Sequence, residues 1–488
     1  MLRTIRGAGL AILMSVLMVA TGIQAQESTI GLLVYDEEQA ANGYTLYTAR
    51  RSGDVFLIDM QGNVVNHWQT GASQGRDAFL LENGNIMRTL PLDGRDTFFD
   101  EARTGFGGTG RVAEIDWNDE IVWEWQSEDP RYWVHHGIDI MPNGNVLVIA
   151  FDYYTVEEAI ERGLNPEVTD EITLTWEYWP DSILEISRET GEVVWAWNAW
   201  DHLIQDFDPS KENYGDPAAN PGRIDINYNR PTPRDPEGRN AGDWIHANTV
   251  AYNPELDQVM LSAREFDELW VIDHSISTEE AAGPAGDLLY RWGNPAAYGA
   301  EGERRLFRQH DTQWIAEGLP GAGNILVYNN RVPLAAEERS EDYPEQTEQS
   351  TVIEFAPPDE DGVYPELEAG EAYGPEALVW EYESEPPQEF FSGIVSGTQR
   401  LSNGNTLIIE GTSGNMFEVT RDGEVVWQFV NPVTPSGLLP QGAVDLPDRP
   451  NENSNMVFRA RRYMPDHPGL VGRDLTPIGT MAEVMGSE

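Results

Sequence analysis

Three histidines occupy the same position in three copies of an internal repeat. His136, His246 and His310 each stand seven residues before the point where their repeat turns, and the chain of 488 residues has only eight histidines. An imidazole can accept a proton, attack an electrophile or bind a metal near neutral pH. If the repeats surround an axis, this register brings the three rings together and predicts a reaction centre.

Arg264 is the fourth candidate for this centre. It ends the β-rich run QVMLSAR eighteen residues after His246, which is the length of one hairpin, so both side chains are predicted to reach the same end of the repeat. Arginine stays charged at any relevant pH and holds a tetrahedral oxyanion with a rigid fork of donors. The alternative is a surface arginine paired with Glu265 or Asp267. Three histidines alone would suit Zn²⁺, copper or iron, but a neighbouring arginine repels a cation and favours an anionic ligand without a metal.

The elements that must position these residues form six copies of one unit. One half of the unit ends in Gly–Glu–Val–Val–Trp or a variant of it, and it recurs at 57–68, 114–125, 185–197, 271–292, 352–382 and 418–429. The other half, typified by NGNVLVIA, precedes it at 43–50, 83–90, 143–150, 256–264, 322–330 and 403–410. Asn-Gly between β-rich runs indicates a tight hairpin, and a further strand comes before each turn. Six four-stranded antiparallel units predict an all-β chain folded as a six-bladed β-propeller.

Ring closure and the repeat register predict where individual side chains lie. Residues 27–42, with IGLLVYDE, are predicted to add a strand that closes the ring against the last blade. His135 is predicted to be structural, because neighbours on a strand point opposite ways. Counting seven residues back from each turn gives the predicted channel positions Tyr35, Arg76, His136, His246, His310 and Ser396. Packing on the outer strands is predicted for Trp68, Trp123, Trp195, Trp292, Trp380 and Trp427.

The chain is predicted to hold a signal peptide and one catalytic domain. MLRTIR followed by an apolar run to Ile23 is typical of a secretory signal peptide, residues 1–25; an uncleaved anchor is the alternative. The remainder, 26–488, is predicted to be a single six-bladed propeller in a periplasmic or secreted protein. Loop insertions are expected near 152–180, 201–243, 332–350 and 357–376, where loops on a rigid scaffold shape a site.

Composition excludes several classes of function. Lys and Arg number 31 against 83 Asp and Glu, a formal net charge of −52, which argues against nucleic-acid binding. No later segment is apolar enough to span a bilayer, so no membrane contact is expected after signal cleavage. The absence of cysteine excludes disulfides and thiol chemistry. Because this acidic chain repels anions, an anion site needs local positive charge such as Arg264.

The segments around these residues resemble the bacterial arylsulfate sulfotransferases, a family that does not use the phosphoadenosine cofactor PAPS. The matching segments are HHGIDIMPNGNVLVIA (135–150), DWIHANTVAYNPELDQVMLSAREFDELWVID (243–273), RQHDTQWIAEGLPGAGNILVYNN (308–330) and SGTQRLSNGNTLIIEGTSGNMFEVTRDGEVVWQF (396–429). By motif, His310 in RQHDTQW matches the family's transiently sulfated histidine, and His246, Arg264 and His136 match its other catalytic residues.

The resemblance implies a PAPS-independent enzyme without a cofactor. It would move a sulfuryl group from a phenolic sulfate ester to a phenolic acceptor, by a ping-pong mechanism through a sulfohistidine. Which of His136 and His246 handles the proton is left open. Tyr153, Tyr154 and Trp244 are candidates to stack on the aryl ring, with packing as the alternative.

The chain departs from the family's pattern in three respects. Its first repeat follows the signal closely, leaving little room for the N-terminal domain of some members, and it lacks the cysteines that pair in some of them. A homodimer of the kind that this domain supports is therefore left open. YNN at 328–330 replaces a more usual aromatic–Asp–Asn. Two other classes also stay open: a non-catalytic ligand-binding propeller, and a propeller hydrolase or lyase.

Overall fold

A computed structural model describes residues 28–50, 52–69, 76–92, 109–166, 177–231, 242–339, 346–442 and 455–486. The predicted signal peptide at 1–25 lies outside these residues and stays a prediction. Six antiparallel sheets form a ring, five of four strands and one of four strands with a fifth added at its edge, so the predicted six-bladed β-propeller is confirmed. No helix of the described part is long and apolar enough to cross a membrane.

In the first three blades, with strands given from the channel outwards, blade 1 takes its innermost strand from the C-terminal part of the chain. Blade 1 consists of Val457–Tyr463, Tyr44–Ala49, Val55–Ile58 and Val64–Trp68. Blade 2 consists of Ala78–Leu80, Ile86–Pro91, Gly110–Ile115 and Ile121–Gln126. Blade 3 consists of Tyr132–Ile140, Val146–Asp152, Asp181–Ile186 and Val193–Asn198.

The other three blades follow in chain order. Blade 4 consists of Ala247–Asn253, Gln258–Ala263, Glu268–Asp273 and Tyr290–Trp292. Blade 5 consists of His310–Trp314, Ile325–Pro333, Glu348–Phe355 and Trp380–Tyr382. Blade 6 consists of Gly397–Arg400, Thr406–Glu410, Asn415–Val419 and Val425–Val430, with Gly31–Tyr35 as a fifth, outermost strand.

Shorter elements lie between the blades. The strand pairs are Tyr154–Thr155 with Glu177–Tyr178, Leu203–Ile204 with Ile224–Asp225, and Val433–Thr434 with Gly437–Leu438. The α-helices are Val156–Glu161, Thr278–Ala281 and Met481–Met485. The 3₁₀ turns are Ala199–His202, Pro217–Ala219, Arg264–Phe266, Pro284–Gly286, Pro295–Tyr298, Ala336–Glu338 and Pro387–Glu389.

Both ends of the chain close the ring. Gly31–Tyr35 pairs with Val425–Val430 on the outer edge of blade 6, as predicted for residues 27–42. The channel strand of blade 1 is Val457–Tyr463, which pairs antiparallel with Tyr44–Ala49. The prediction that Tyr35 lines the channel is therefore wrong, because the C-terminal strand takes the inner position and leaves Tyr35 on an outer edge.

A ring of tryptophan hydrogen bonds joins each blade to the next. In each case an indole Nε1–H donates across the interface to a backbone carbonyl, which satisfies a polar group that is otherwise costly to bury. The six pairs are Trp68–Asp116 (2.8 Å), Trp125–Gly191 (2.9 Å), Trp195–Ile276 (2.9 Å), Trp292–Pro375 (3.0 Å), Trp380–Arg421 (2.9 Å) and Trp427–Met60 (3.0 Å). The six predicted tryptophans do lie on outer strands, but in blade 2 the bonding residue is Trp125 and not Trp123.

The Asn-Gly-Asn turns of the repeat are held by a glutamate on the third strand. Glu185 accepts hydrogen bonds from Asn143 and Asn145 at 3.3 and 2.5 Å, and it also meets His274 of blade 4 at 3.1 Å. The same arrangement recurs at Glu114 with Arg188, at Glu354 with Arg421 and at Glu418 with Arg462. In each of these four blades, a glutamate that fixes its own hairpin also pairs with a basic side chain of the next blade.

Candidate functional site

One layer of buried side chains from the innermost strands, or from the residues just before them, crosses the channel. Rings of His136 and His246 lie edge to face with centroids 4.4 Å apart, and the charges of Arg76 and His310 act on His136. Phe458 completes the layer from blade 1, with the Arg76 guanidinium 5.8 Å from its ring centre. Phe458 thus takes the place in blade 1 that was predicted for Tyr35.

The backbone of this layer is bulged and strained. The channel strands of blades 3, 4 and 5 each lose register opposite their second strand, beside His136, Ala247 and His310. Of the ten non-glycine residues with positive φ in the described ranges, six lie at or beside the layer: His136, His246, Arg308, Asp311, Val395 and Ser396. A left-handed non-glycine residue costs on the order of 1 kcal/mol, and such residues cluster at functional sites. The bulges re-aim the side chains that the repeat brings to the channel.

The contacts of His310 fix its tautomer. Nδ1 lies 2.7 Å from Asn330 Oδ1 and 3.2 Å from the Arg308 carbonyl, and since both are acceptors, Nδ1 carries the proton. Nε2 accepts a long hydrogen bond, 3.3 Å, from the Val395 N–H and therefore keeps its lone pair. Burial, and then the charge of Arg264, lower the pKa of His310 well below its usual value. His310 is thus a neutral imidazole at neutral pH, with an unprotonated Nε2.

The YNN segment, residues 328–330, contacts His310 on the Nδ1 side of its ring. Asn330 Nδ2 donates to the carbonyls of Ser392 and Val395 at 2.7 and 3.0 Å, so its Oδ1 is the atom left to face His310. Asn329 accepts from the Phe307 N–H at 2.7 Å and donates to the Arg305 carbonyl at 2.9 Å. Its amide therefore holds the segment that leads into His310.

His246 is paired with a carboxylate. Its Nδ1 lies 2.6 Å from Asp243 Oδ2, and both side chains are buried. Asp243 accepts a hydrogen bond from the Nδ1–H, which directs proton exchange to Nε2 and stabilises the ring when it becomes an imidazolium. This aspartate–histidine pair is one that can take up and release a proton.

His136 is the end of a short relay that begins at Asp181. His136 Nδ1 lies 2.8 Å from His135 Nδ1, and His135 Nε2 lies 2.9 Å from Asp181 Oδ1. The prediction that His135 points away from His136 is wrong, because the bulge turns both rings to the same side. Burial, then the charges of His246 and His135, lower the pKa of His136 well below its usual value. His136 is therefore neutral. Because the Asp181 carboxylate accepts from His135 Nε2–H, His135 Nδ1 accepts from His136 Nδ1–H, and the resting His136 has its lone pair on Nε2.

Arg264 follows the second strand of blade 4 and is nine-tenths buried. Its Nη1 donates to Glu265 Oε1 at 2.5 Å, and Glu265 Oε2 pairs with Arg308. The pairing with Glu265 that the alternative interpretation assumed is thus present, but the guanidinium is not a surface group, and its charge is the largest electrostatic influence on His310. In the described ranges, no group of three or more His, Asp or Glu side chains is placed to hold a metal ion.

The aromatic candidates for the aryl ring have different surroundings. Trp244 is fully buried and packs against Tyr178 and Phe266, so its role is packing. Tyr154 stacks on Trp200 with centroids 3.9 Å apart and donates to Asp152. Tyr153 is half-buried beside the apolar cluster of Leu92, Trp133, Phe151 and Trp179.

The residues that contact the histidines or complete their layer were not identified from the sequence. Asp243 and Asn330 lie in segments that carry the resemblance, three residues before His246 and within YNN, but spacing alone does not show that they contact a histidine. Asp181 and Phe458 come from strands that no local signal connects to the channel. The three histidines lie in one layer, and Arg264 is close enough for its charge to act on His310.

Comparison with solved structures finds other proteins of similar outline. A protein of unknown function from Bacteroides caccae is 11% identical, with 86% of this chain and 99% of that chain covered and a TM-score of 0.42. A streptogramin B lyase is 8% identical over 84% and 85% of the two chains, with a TM-score of 0.36. A Myceliophteria thermophila Cps50 (Swd1) β-propeller domain is 10% identical over 84% and 88%, also with 0.36. These likenesses are too distant to bear on the site.

Comparison with known sequences bears on the family. No curated protein matches the chain. The family model for Arylsulfotransferase (ASST) matches residues 34–435, which include all three histidines and Arg264. On that match, the chain belongs to the arylsulfotransferase family.

Proposed function

We propose that this protein is a PAPS-independent aryl sulfotransferase that passes a sulfuryl group from a phenolic sulfate ester, through His310, to a phenolic acceptor. The observation that carries this proposal is the state of His310: a buried neutral imidazole with its proton held on Nδ1 and its lone pair on Nε2, beside the charge of Arg264. The family match supports the same activity.

In the first half-reaction, Nε2 of His310 attacks the sulfur of the ester. The N–S bond forms, the bond from sulfur to the phenolic oxygen breaks, and the phenolic oxygen leaves with the bond's electron pair. The Nδ1 proton stays on the ring, and Asn330 Oδ1 stabilises the cationic ring that results. Arg264 stabilises the nonbridging oxygens, because sulfuryl transfer, like phosphoryl transfer, depends mainly on positioning and on charge stabilisation.

We assign the protonation of the leaving phenolic oxygen to His246. A phenolate with a pKa near 10 is a poor leaving group, so a general acid accelerates its departure. The Asp243 carboxylate, 2.6 Å from Nδ1, favours the imidazolium form of His246. The neighbouring His136 meets another imidazole at Nδ1 and has a strongly lowered pKa, which makes it the poorer acid.

In the second half-reaction, an acceptor phenol gives its proton to His246, and its oxygen attacks the sulfur of the sulfohistidine. The N–S bond breaks and its electron pair returns to Nε2 of His310. His136 supports both steps by donating from Nε2 to the sulfuryl oxygens. This tautomer needs one proton more than the resting chain of Asp181, His135 and His136 carries, and the anionic group in the channel favours uptake of that proton from solvent.

The experiment is turnover of a chromogenic aryl sulfate with and without an added phenol. Acceptor-dependent release, with the sulfuryl group found by mass spectrometry on the peptide that contains His310, is the expected result. Release that the phenol does not accelerate would indicate a sulfatase, and no release would remove the enzyme hypothesis. His310→Asn should abolish labelling, whereas the matched control His467→Asn, whose ring packs on Tyr463, should label normally.

A further inference from the structure

One guanidinium lies directly beneath the layer of imidazoles. Arg459 comes from the channel strand of blade 1 and lies beyond the residues 34–435 that the family model covers. Its side chain is 3% exposed. Nη1 donates to Asp77 Oδ2 of blade 2 at 2.8 Å, and Nη2 donates to the Asn248 carbonyl of blade 4 at 2.9 Å. A single side chain thus joins three blades at the axis.

The contacts of Arg459 fall beside each of the three histidines. Nη2 donates to Thr249 Oγ1 at 2.6 Å, three residues after His246. Nε lies 3.1 Å from Asp311 Oδ1, directly after His310. Gly137 directly follows His136, and a Cβ there would lie 3.0 Å from Arg459 Nη1 and 3.2 Å from the Asn248 carbonyl. The guanidinium packs against the bulge of each histidine-bearing blade.

His310 is held on both sides by groups that Arg459 binds. Thr249 Oγ1 accepts the Asp311 N–H at 2.9 Å while it also accepts from Arg459. Asn248 Nδ2 donates to the Gln309 carbonyl at 2.7 Å while its own carbonyl accepts from Arg459. Asp311 has φ 54°, so this backbone is strained and needs such partners to persist.

We infer that Arg459 is a positioning residue of the site: its one guanidinium fixes the backbone beside His136, His246 and His310 and so sets where the three imidazoles point. The charge of Arg459 also acts on His310, together with that of Arg264. His310 in turn acts on His136 of blade 3. A lysine at this position would keep the charge, but it lacks the fork that reaches three blades at once.

The test uses Arg459→Lys and Arg459→Gln in the full chain, with Arg462→Lys as the matched control. Arg462 is a buried arginine of the same strand, but it binds Thr45, Ala41 and Glu418, which do not adjoin any of the three imidazoles. The kinetic arm rests on the proposed sulfotransferase activity. Arg459→Lys should lower kcat about 10-fold or more with little change in KM, because displacement of a reacting group by a fraction of an ångström is costly. Arg462→Lys should lower Tm and leave kcat per folded molecule unchanged.

A second readout does not need the proposed reaction. Diethyl pyrocarbonate acylates unprotonated imidazole, and peptide mapping gives its rate at His310 against pH. Arg459→Gln removes a positive charge, so the midpoint should rise by roughly half a pH unit, whereas Arg459→Lys should leave the midpoint in place. If neither variant changes kcat per folded molecule or the acylation profile, Arg459 only joins the blades and the inference fails. If the protein proves inactive on aryl sulfates, the rate of His310 acylation above the midpoint decides: Arg459→Lys should change this rate relative to Arg462→Lys because the ring is displaced, and an unchanged rate would overturn the inference.

Discussion

Nδ1 of His310 and Oδ1 of Asn330 lie 2.7 Å apart, and the amide cannot turn over without losing both hydrogen bonds that its Nδ2 makes to backbone carbonyls. An amide oxygen carries no full charge. It therefore fixes the proton on Nδ1 without the strong pull toward the imidazolium that a carboxylate would exert. His246 has the opposite arrangement, because a carboxylate meets its Nδ1. The two rings are set for different tasks by their partners.

Asn330→Ala should lower kcat of aryl sulfate turnover about 100-fold, because the ring can then adopt the tautomer that places its proton on Nε2. KM should change less, since the amide does not contact the ester in the proposed reaction. Steady-state kinetics at several phenol concentrations measure both. The control is Asn66→Ala, which removes an amide that bonds to the Trp117 carbonyl on the outer side of blade 1. A kcat within about threefold of wild type would show that the tautomer is fixed by another group.

Asp243→Asn should slow poor leaving groups more than good ones. Without the carboxylate, less of His246 is in the imidazolium form that protonates the leaving oxygen. The rate should fall about 100-fold for an unsubstituted phenyl sulfate, and far less for a nitrophenyl sulfate, whose leaving group needs less protonation. A series of esters gives the dependence of kcat/KM on leaving-group pKa, and its slope should steepen. His136→Gln should slow all esters by a similar factor. The reverse pattern would exchange the roles that we assign to His136 and His246.

The fall of kcat/KM at low pH, its acid limb, should have a midpoint below the ordinary histidine pKa of 6.5. Burial and then the charge of Arg264 lower the pKa of His310, so Nε2 stays unprotonated at pH values where an ordinary histidine is half charged. Arg264→Met should move this limb to higher pH and lower the rate at its plateau about 100-fold or more. Arg264→Lys should keep the limb near its original pH while still losing rate, because the charge remains and the fork of donors is gone. A limb that Arg264→Met leaves in place would mean that Arg264 does not act on His310.

The repeat pattern carries most of the fold, since each blade is a local unit with its own turn and outer-strand tryptophan. It also carries the register of the histidines, because equivalent strands reach the same channel end. It does not show which distant segment completes blade 1: the strand Val457–Tyr463 pairs with residues about 400 positions away, and Tyr35 was misplaced for that reason. The bulge that turns His135 toward His136 was also missed, because strict alternation along a strand assumes an unbroken ladder.

Side-chain partners were harder to predict than positions. Asn330, Asp243 and Asp181 each bind a ring nitrogen of a histidine, yet in sequence they are common residues in loops or strands. Their function depends on which groups the fold brings within about 3 Å, and a motif match does not supply that distance.

His274 should stabilise the protein in a limited pH range. Burial lowers its pKa, but hydrogen bonds to Glu185 and Asp257 outweigh this and raise it overall. Its stabilisation is therefore present below an unfolded pKa of about 6.5, and it is lost as the pH rises through the folded pKa. Glu185, whose pKa is lowered chiefly by the hydrogen bond from His274, loses its contribution as the pH falls through its own folded value. His274→Asn should lower the free energy of unfolding about 1 kcal/mol more at pH 5.5 than at pH 9. Its effect on Tm should therefore also be larger at pH 5.5. Thermal unfolding across this range tests the sign, and a larger effect at pH 9 would contradict it.

Trp427→Phe tests how the ring is closed. Trp427 is fully buried, and its Nε1–H donates to the Met60 carbonyl at 3.0 Å, which joins the last blade to the first. Phenylalanine keeps most of the apolar contact but leaves that carbonyl without its indole donor. The free energy of unfolding should therefore fall by about 2 kcal/mol. Trp380→Phe is the comparison: it removes the equivalent bond to the Arg421 carbonyl between blades 5 and 6, at a more exposed site where water can replace the donor. Denaturant unfolding should show the larger loss for Trp427→Phe, because its carbonyl is sealed from solvent at the seam that both chain ends close. Equal losses would mean that the seam is no more sensitive than any other interface between blades.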